Sequence, residues 1–156
     1  MKIELGCGRN PTPGFIHHDL WAHSPHIDLT FDLDETPWPI AAGAVEELLV
    51  LDVFEHLNVP IRTWMDECWR ILRHDGTLTM RLPAWDNPLS HRDPTHRRTF
   101  HEQTFLYWCP TNPGQIWQEF GQYYFGEGYR RWWKQISVTR ENNDLRFVLQ
   151  KDLTTP

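Results

Sequence analysis

The residues with the clearest chemical potential stand at the front of the chain. A short run, Ile3-Glu4-Leu5, leads directly into Gly6-Cys7-Gly8-Arg9-Asn10-Pro11. Glycine has no Cβ, so it tolerates positive φ and lets a ligand lie close to the backbone. Asp19 ends the next apolar run, and an acid beyond a second strand can bond a ribose diol. This layout suits a nucleoside-like cofactor. A second stretch is His91-Arg92-Asp93-Pro94-Thr95-His96-Arg97-Arg98-Thr99-Phe100. A histidine and an aspartate within reach, here His96 and Asp93, can take a proton from a hydroxyl or amine. Arg98 can bind a carboxylate or phosphate, with His91 beside it. Three readings compete for this stretch: substrate contact, a metal held by His91, Asp93 and His96, or a loop whose charges satisfy one another. The spacing is not that of a helical zinc site, so no metal is expected. His56 reads as a base or as a capping and packing residue. His17, His18, His23 and His26 show no ligand-like pattern and read as surface residues. Cys7 reads as a small side chain filling the turn.

These residues need strands and turns to hold them. Residues 2–5 and 15–19 read as strands, joined by a loop marked by Pro11, Pro13 and Gly14 that has no room for a full helix. Residues 27–33 alternate and read as a third strand. Residues 45–51 are nearly continuous in apolar character and read as a central strand buried on both faces. Ile61, Trp64, Met65, Cys68, Trp69 and Leu72 form an apolar stripe, which predicts a helix over 60–73 with Pro60 in its first turn and Gly76 beyond its end. Residues 77–82 form a fifth strand, and a short helix is expected near 102–108. Residues 133–140 and 145–150 alternate around Glu141-Asn142-Asn143-Asp144, a hairpin signal. The sum is an α/β fold: a Rossmann-like, mostly parallel sheet with an antiparallel C-terminal hairpin and reduced helices.

With 156 residues the chain is expected to form one domain over 1–156. No apolar stretch is long enough to span a membrane and no signal peptide is read, so a cytoplasmic location is the expectation. The formal charge of −6 and a pI near 5.8 argue against a nucleic-acid partner. Three scattered cysteines, Cys7, Cys68 and Cys109, provide neither a disulfide framework nor a thiolate zinc site. The nine tryptophans are unusual for this length. Many cluster with other aromatics between 107 and 133, where they read as core and as a lid, with a self-association surface as a further expectation.

Four stretches together resemble the class I S-adenosylmethionine-dependent methyltransferases, in a compact form similar to the type 11 group. Glu4-Leu5-Gly6-Cys7-Gly8 resembles the first motif, and Asp32-Leu33 followed by Pro37-Trp38-Pro39 resembles the segment leaving the third strand. Asp52-Val53-Phe54-Glu55-His56-Leu57 resembles the signature after the fourth strand. Trp69 to Leu78 resembles the segment before the fifth. Asp93, Pro94, His96, Arg98 and Phe100 match a further segment of some members. Each motif is short, but order and spacing agree over residues 2–83. The chain departs from the pattern at Asn10, where a third glycine is usual.

The resemblance implies S-adenosylmethionine as cofactor and methyl transfer to an oxygen or nitrogen of a small-molecule acceptor. It assigns Glu4, Gly6, Cys7, Gly8, Asp19, Asp32, Leu33 and Asp52 to the cofactor: Asp19 to the ribose hydroxyls, Asp32 and Leu33 to the adenine, Asp52 near the methyl donor. It makes His96, Asp93 and His56 the catalytic candidates, His91 and Arg98 the substrate contacts, and 84–132 an acceptor and lid region. The rival reading is a degenerate module that binds the cofactor, or a partner protein, without methyl transfer.

Overall fold

The computed structural model describes residues 1–111, 120–126 and 128–153. Its centre is a seven-stranded sheet in the order β3-β2-β1-β4-β5-β7-β6. The strands are β1 (Lys2–Leu5), β2 (Ile16–Asp19), β3 (Leu29–Thr30), β4 (Val45–Leu51), β5 (Leu72–Pro83), β6 (Trp132–Glu141) and β7 (Asp144–Asp152). β1 to β5 are parallel, and β7 runs antiparallel to both β5 and β6. The expected sheet is therefore present, closing hairpin included. Its turn is Asn142-Asn143, both at positive φ (50° and 70°), the pairing demanded by a two-residue hairpin whose twist matches its strands.

The order reverses at β1, which lies between β2 and β4. Such a switch point opens a crevice outside the carboxyl ends of the strands, where open α/β sheets bind ligands. Leu5, Asp19 and Leu51 end their strands on this side.

Helical cover is one-sided. Helix α1 (Ile61–Ile71) buries Trp64, Met65, Cys68 and Ile71 on the face carrying Ile3, Leu5, Leu48, Val50, Leu78, Met80, Phe147 and Leu149. The alternation of β5 places Thr77, Thr79 and Arg81 on the opposite face, beside Glu4, Glu47 and Leu49. Only α1, α2 (Pro88–Arg92), α3 (Gln122–Phe125) and two 3-10 turns (Phe54–His56 and Thr104–Trp108) occur among the described residues. β4 is central as expected, but among the described residues its polar-flanked face has no counterpart of α1, the one described helix longer than five residues.

Several boundaries differ from the sequence reading. Leu72 leaves α1 in an extended conformation (ψ 137°), so β5 begins at Leu72 instead of Thr77. Gly76 lies inside the strand, where a Cβ would stand 3.0 Å from the Arg73 carbonyl oxygen. β3 shrinks to two residues, Leu29–Thr30, with aspartate side chains accepting backbone bonds on either side of it. Asp28 accepts from His17 N–H at 2.8 Å and Asp32 from Asp34 N–H at 2.8 Å. The helix expected near 102–108 is the 3-10 turn Thr104–Trp108.

The aromatic lid is corrected in part. Phe125, Tyr129, Trp132 and Trp133 are buried in the core. Trp132 pairs with Asp152, at the end of β7 opposite Asp144, which pairs with Pro83 at the carboxyl end of β5. Trp132 and Trp133 therefore lie at the far end of the sheet from the crevice. Arg62 stacks on Phe125 and Tyr129, which fixes that part of the cluster against α1. Residues 112–119 and 127 of the aromatic region lie outside the described residues. Phe120, Tyr123 and Tyr124 are exposed. No described helix is long and apolar enough to cross a membrane.

Candidate functional site

The glycine turn follows β1 directly, and its two glycines differ. Gly6 has φ +65°, and a Cβ there would stand 2.5 Å from Val53 Cγ2. Gly8 has φ +59° but meets nothing within 4 Å. The first glycine is needed for packing, and the second leaves open space beside the backbone.

Polar side chains pin this turn. Cys7 N–H donates to the His18 carbonyl at 3.0 Å, and Gly8 N–H donates to Asp19 Oδ2 at 2.9 Å. His18 Nε2 lies 2.9 Å from the Phe31 carbonyl, so it donates there, and Nδ1 is left to accept from Gly6 N–H at 3.4 Å. His26 Nε2 donates to the Gly8 carbonyl at 3.0 Å. The surface reading of these histidines is thus corrected for His18, which is 1% exposed. Burial lowers its pKa and keeps it neutral. The alternation Ile16-x-His18, in register with Ile3 and Leu5, was the available signal.

The acids divide by task. Glu4 points to the other face of the sheet, where its carboxylate accepts from Thr12 N–H at 2.7 Å and Thr12 Oγ1 at 2.8 Å. It therefore orders the loop after the glycine turn. Asp19 Oδ1 accepts from Leu20 N–H at 2.7 Å, and Oδ2 lies 3.3 Å from His23 Nε2. Burial opposes the Asp19 charge, but the Gly8, His23 and Leu20 bonds outweigh it and hold the carboxyl below its ordinary range. Asp34 is engaged by Asn58 N–H at 2.7 Å and Val59 N–H at 2.8 Å, which leaves exposed Asp32 as the acid facing solvent after β3. Leu33 is buried in the core and presents little surface to a ring outside it. Asp52 leaves β4 at φ +56° and is held from two sides by Arg81, through Nε at 2.9 and 3.1 Å and through Nη2.

Beside Asp52 lies a cavity of about 300 Å³ lined by Asp52, Glu55, His56, Pro83, Leu89, Asp93, His96 and Asp144. Phe54 anchors its floor by stacking on Trp64 with ring centroids 4.0 Å apart. Arg97 N–H donates to the Glu55 carbonyl at 2.7 Å, which ties the 93–98 segment to the turn. His56, Asp93 and His96 are therefore brought together. The His56 and His96 rings meet edge to face at 4.7 Å. Thr95 Oγ1 donates to Asp93 Oδ1 at 2.6 Å. Its single proton is thus committed, so His56 Nδ1 is the donor in the 2.8 Å contact with Thr95 Oγ1. His56 Nε2 then keeps a free lone pair. Burial and the neighbouring His96 lower the His56 pKa.

Two cavity residues had no role in the sequence reading. Glu55 is 1% exposed, and burial, aided by Asp52 and Asp144, pushes its carboxyl up to about 8. Asp144 arrives from β7, and its carboxyl is also raised by burial and by Asp52. Neither could be placed without the tertiary fold, although Glu55 stood in the recognised signature.

Two substrate contacts are corrected. Arg98 turns inward: Nη2 donates to the Leu57 and Val59 carbonyls at 2.6 and 2.9 Å, and its guanidinium lies 4.5 Å from the centroid of the Phe54 ring. The side chain braces the wall of the site instead of offering an anion fork. His91 does not line this cavity; its Nε2 donates to the Trp85 carbonyl at 2.8 Å. Cys7 is buried, and burial together with Asp19 and Glu4 pushes its thiol up to about 11. This matches a packed side chain and not a nucleophile.

No protein-family model matches the chain, and no curated protein does. Solved structures do match over nearly its whole length. A SAM-dependent methyltransferase from Archaeoglobus fulgidus is 14% identical, with 96% of this chain and 85% of that one covered and a TM-score of 0.59. Phosphoethanolamine N-methyltransferase 1 from Haemonchus contortus, solved with phosphoethanolamine and S-adenosylhomocysteine, is 12% identical, with 98% and 39% covered and a TM-score of 0.61. The YcgJ protein from Bacillus subtilis is 11% identical, with 98% and 92% covered and a TM-score of 0.55. The chain has the class I methyltransferase fold.

Proposed function

We propose that this chain is an S-adenosylmethionine-dependent methyltransferase acting on an oxygen or nitrogen of a small-molecule acceptor. One observation carries the reading. Gly6–Gly8, Asp19, Asp32 and Asp52 follow the carboxyl ends of four neighbouring parallel strands, β1, β2, β3 and β4, and Asp52 also lines the cavity holding His56 and His96. When bound, the cofactor supplies a methyl group already activated on a sulfonium. The chain's part is positioning and proton transfer. Gly8 gives the nucleoside room against the backbone, Asp19 accepts from the ribose hydroxyls, and Asp32 accepts from the adenine amine. His56 Nε2, with its lone pair free, takes the acceptor's proton. The Thr95–Asp93 pair behind Nδ1 orients the ring and stabilises the imidazolium that results. Calorimetric titration with S-adenosylmethionine and S-adenosylhomocysteine tests the reading: saturable binding of both is expected, and no binding of either overturns it.

A second reading, a cofactor-holding module without turnover, is favoured by the one-sided helical cover among the described residues. Binding in that titration, combined with no consumption of methyl donor across hydroxyl and amine acceptors, is its signature.

A further inference from the structure

Two partnerless polar atoms belong to cavity-lining residues on different segments of the chain. Glu55 Oε2 and His96 Nδ1 are both buried and have no hydrogen-bond partner among the described residues. Glu55 is 1% exposed and the His96 side chain 9%. Buried polar groups are normally hydrogen-bonded, so two such atoms on residues of one cavity call for a partner. The third member is His56 Nε2, whose lone pair the Thr95 bond leaves free. One ligand-type atom from each of Glu55, His56 and His96 lies within 4.8 Å of the others.

We propose that Glu55, His56 and His96 bind a first-row divalent transition-metal ion. The donor set, one carboxylate and two imidazoles without thiolate, is that of zinc, manganese, iron or cobalt, and not of calcium. Bonds of about 2.0–2.2 Å hold neighbouring ligands about 3.0–3.6 Å apart, so the cluster closes by little more than an ångström on binding. The surroundings fit a cation as well. Asp93 stands behind both histidines, through Thr95 to His56 and with Oδ2 3.9 Å from His96 Nε2. Through Thr95 it fixes the tautomer and orientation of His56, as outer carboxylates do at metal sites; at 3.9 Å it acts on His96 by its charge alone. Asp52 and Asp144 line the same cavity and add negative charge. Three protein ligands leave coordination positions open toward the cavity, where an acceptor hydroxyl can enter; the ion engages the same His56 lone pair as the proposed proton transfer, so His56 is the base only in the metal-free form. This last point alone rests on the proposed methyl transfer; the metal site stands without it.

The test is titration of chelator-treated full-length protein with Co²⁺, read by its visible absorption and by calorimetry. One equivalent per chain is expected, with bands of a low-coordinate nitrogen and oxygen site and a rise in melting temperature. Glu55→Gln, His56→Ala and His96→Ala are each expected to weaken binding by more than about 100-fold, and Asp93→Ala by about 10–100-fold. His74→Ala, an exposed histidine outside the cavity, is expected to bind as the parent. Far-UV circular dichroism and metal-free melting curves identify any variant that fails to fold; Glu55→Gln, which keeps the shape and replaces the carboxyl with an amide, keeps the test open if an alanine variant does. No stoichiometric Co²⁺ binding, or binding undiminished in folded Glu55→Gln and His96→Ala, overturns the proposal. Titration with S-adenosylhomocysteine runs in parallel: metal binding without cofactor binding sinks the methyltransferase reading alone, and the reverse sinks the metal site alone.

Discussion

Gly6 and Gly8 share a backbone conformation but not a neighbourhood, and that difference can be measured. Gly6→Ala and Gly8→Ala both place a Cβ at positive φ, +65° and +59°, which costs about 1–2 kcal/mol. Only Gly6→Ala also drives its Cβ to 2.5 Å from Val53 Cγ2. Overpacking of this kind adds about 1–3 kcal/mol. The expected losses are therefore about 2–5 kcal/mol for Gly6→Ala and about 1–2 kcal/mol for Gly8→Ala. For a chain of this size each kcal/mol moves the melting temperature by about 2–4 °C. Thermal and urea unfolding give the stability of each variant, and calorimetry with S-adenosylhomocysteine gives its affinity. The order must invert between the assays. Gly6→Ala is the less stable protein, while Gly8→Ala, whose Cβ enters the open space beside the turn, loses affinity by tenfold or more while remaining folded. Equal stability losses would refute the packing argument. Unchanged cofactor affinity in Gly8→Ala would refute the placement of the ligand against this turn.

Asp19→Ala removes the acceptor for the ribose hydroxyls and for Gly8 N–H; calorimetry should show at least a tenfold loss of S-adenosylhomocysteine affinity with a stability loss of about 1–3 kcal/mol. His18 has a folded pKa below its ordinary value of 6.5 because it is buried, so the unfolded chain binds its proton more readily. Its contribution is therefore complete above about pH 6.5 and is lost as the pH falls toward the folded pKa. Buried Glu55, raised to about 8, has the opposite slope over this range and is common to both proteins, so the readout is the difference: urea unfolding should show the stability of the parent relative to His18→Gln falling between about pH 7.5 and about pH 5.5, and a difference that does not change with pH would refute the assignment. The three thiols are raised chiefly by burial, Cys7 to about 11, Cys109 to about 12 and Cys68 well above its ordinary value. Labelling at about pH 8 should be slow for all three until denaturant is added, and fast labelling of Cys7 would show that the turn opens.

The sheet was legible because its signals are local. Alternation around Asn142-Asn143 fixes the hairpin, and the apolar stripe from Trp64 to Ile71 fixes α1. The positions of Asp19, Asp32 and Asp52 were legible for a related reason: each sits where a strand pattern stops. What escaped were consequences of burial and of pairing distant segments. Arg98 looked like an anion contact, yet the carbonyls that hold it belong to Leu57 and Val59, and only the tertiary fold brings them near. His18 looked like a surface histidine because its polarity outweighed its register with Leu5. Glu55 and Asp144 gain their shifted carboxyls only when β4, β5 and β7 meet. The aromatic run misled in the opposite sense: large apolar side chains near an expected site suggested a cover, but packing demand on α1 drew Tyr129, Trp132 and Trp133 into the core.

The polar pinning of the glycine turn bears on how a ligand would bind. The chain's own bonds hold the turn, through Cys7 N–H, Gly6 N–H and the Gly8 carbonyl, each bonded to a histidine of the 18–26 segment. A binding loop already ordered has less conformational freedom to lose on association. Asp19 is part of that preparation, since each of its oxygens accepts one backbone N–H. A carboxylate offers about four lone-pair sites; Gly8, Leu20 and His23 use three, so one is free, and a second hydroxyl takes the place of the exposed His23 ring without breaking the backbone bonds that shape the turn. The same acid can thus hold the empty site in place and complete the filled one. That dual task predicts a specific asymmetry: Asp19→Asn keeps one carbonyl oxygen for a backbone N–H and loses the second acceptor. Its stability should therefore stay closer to the parent than its affinity does. A variant that loses stability while binding normally would place Asp19 in the scaffold and outside the ligand site.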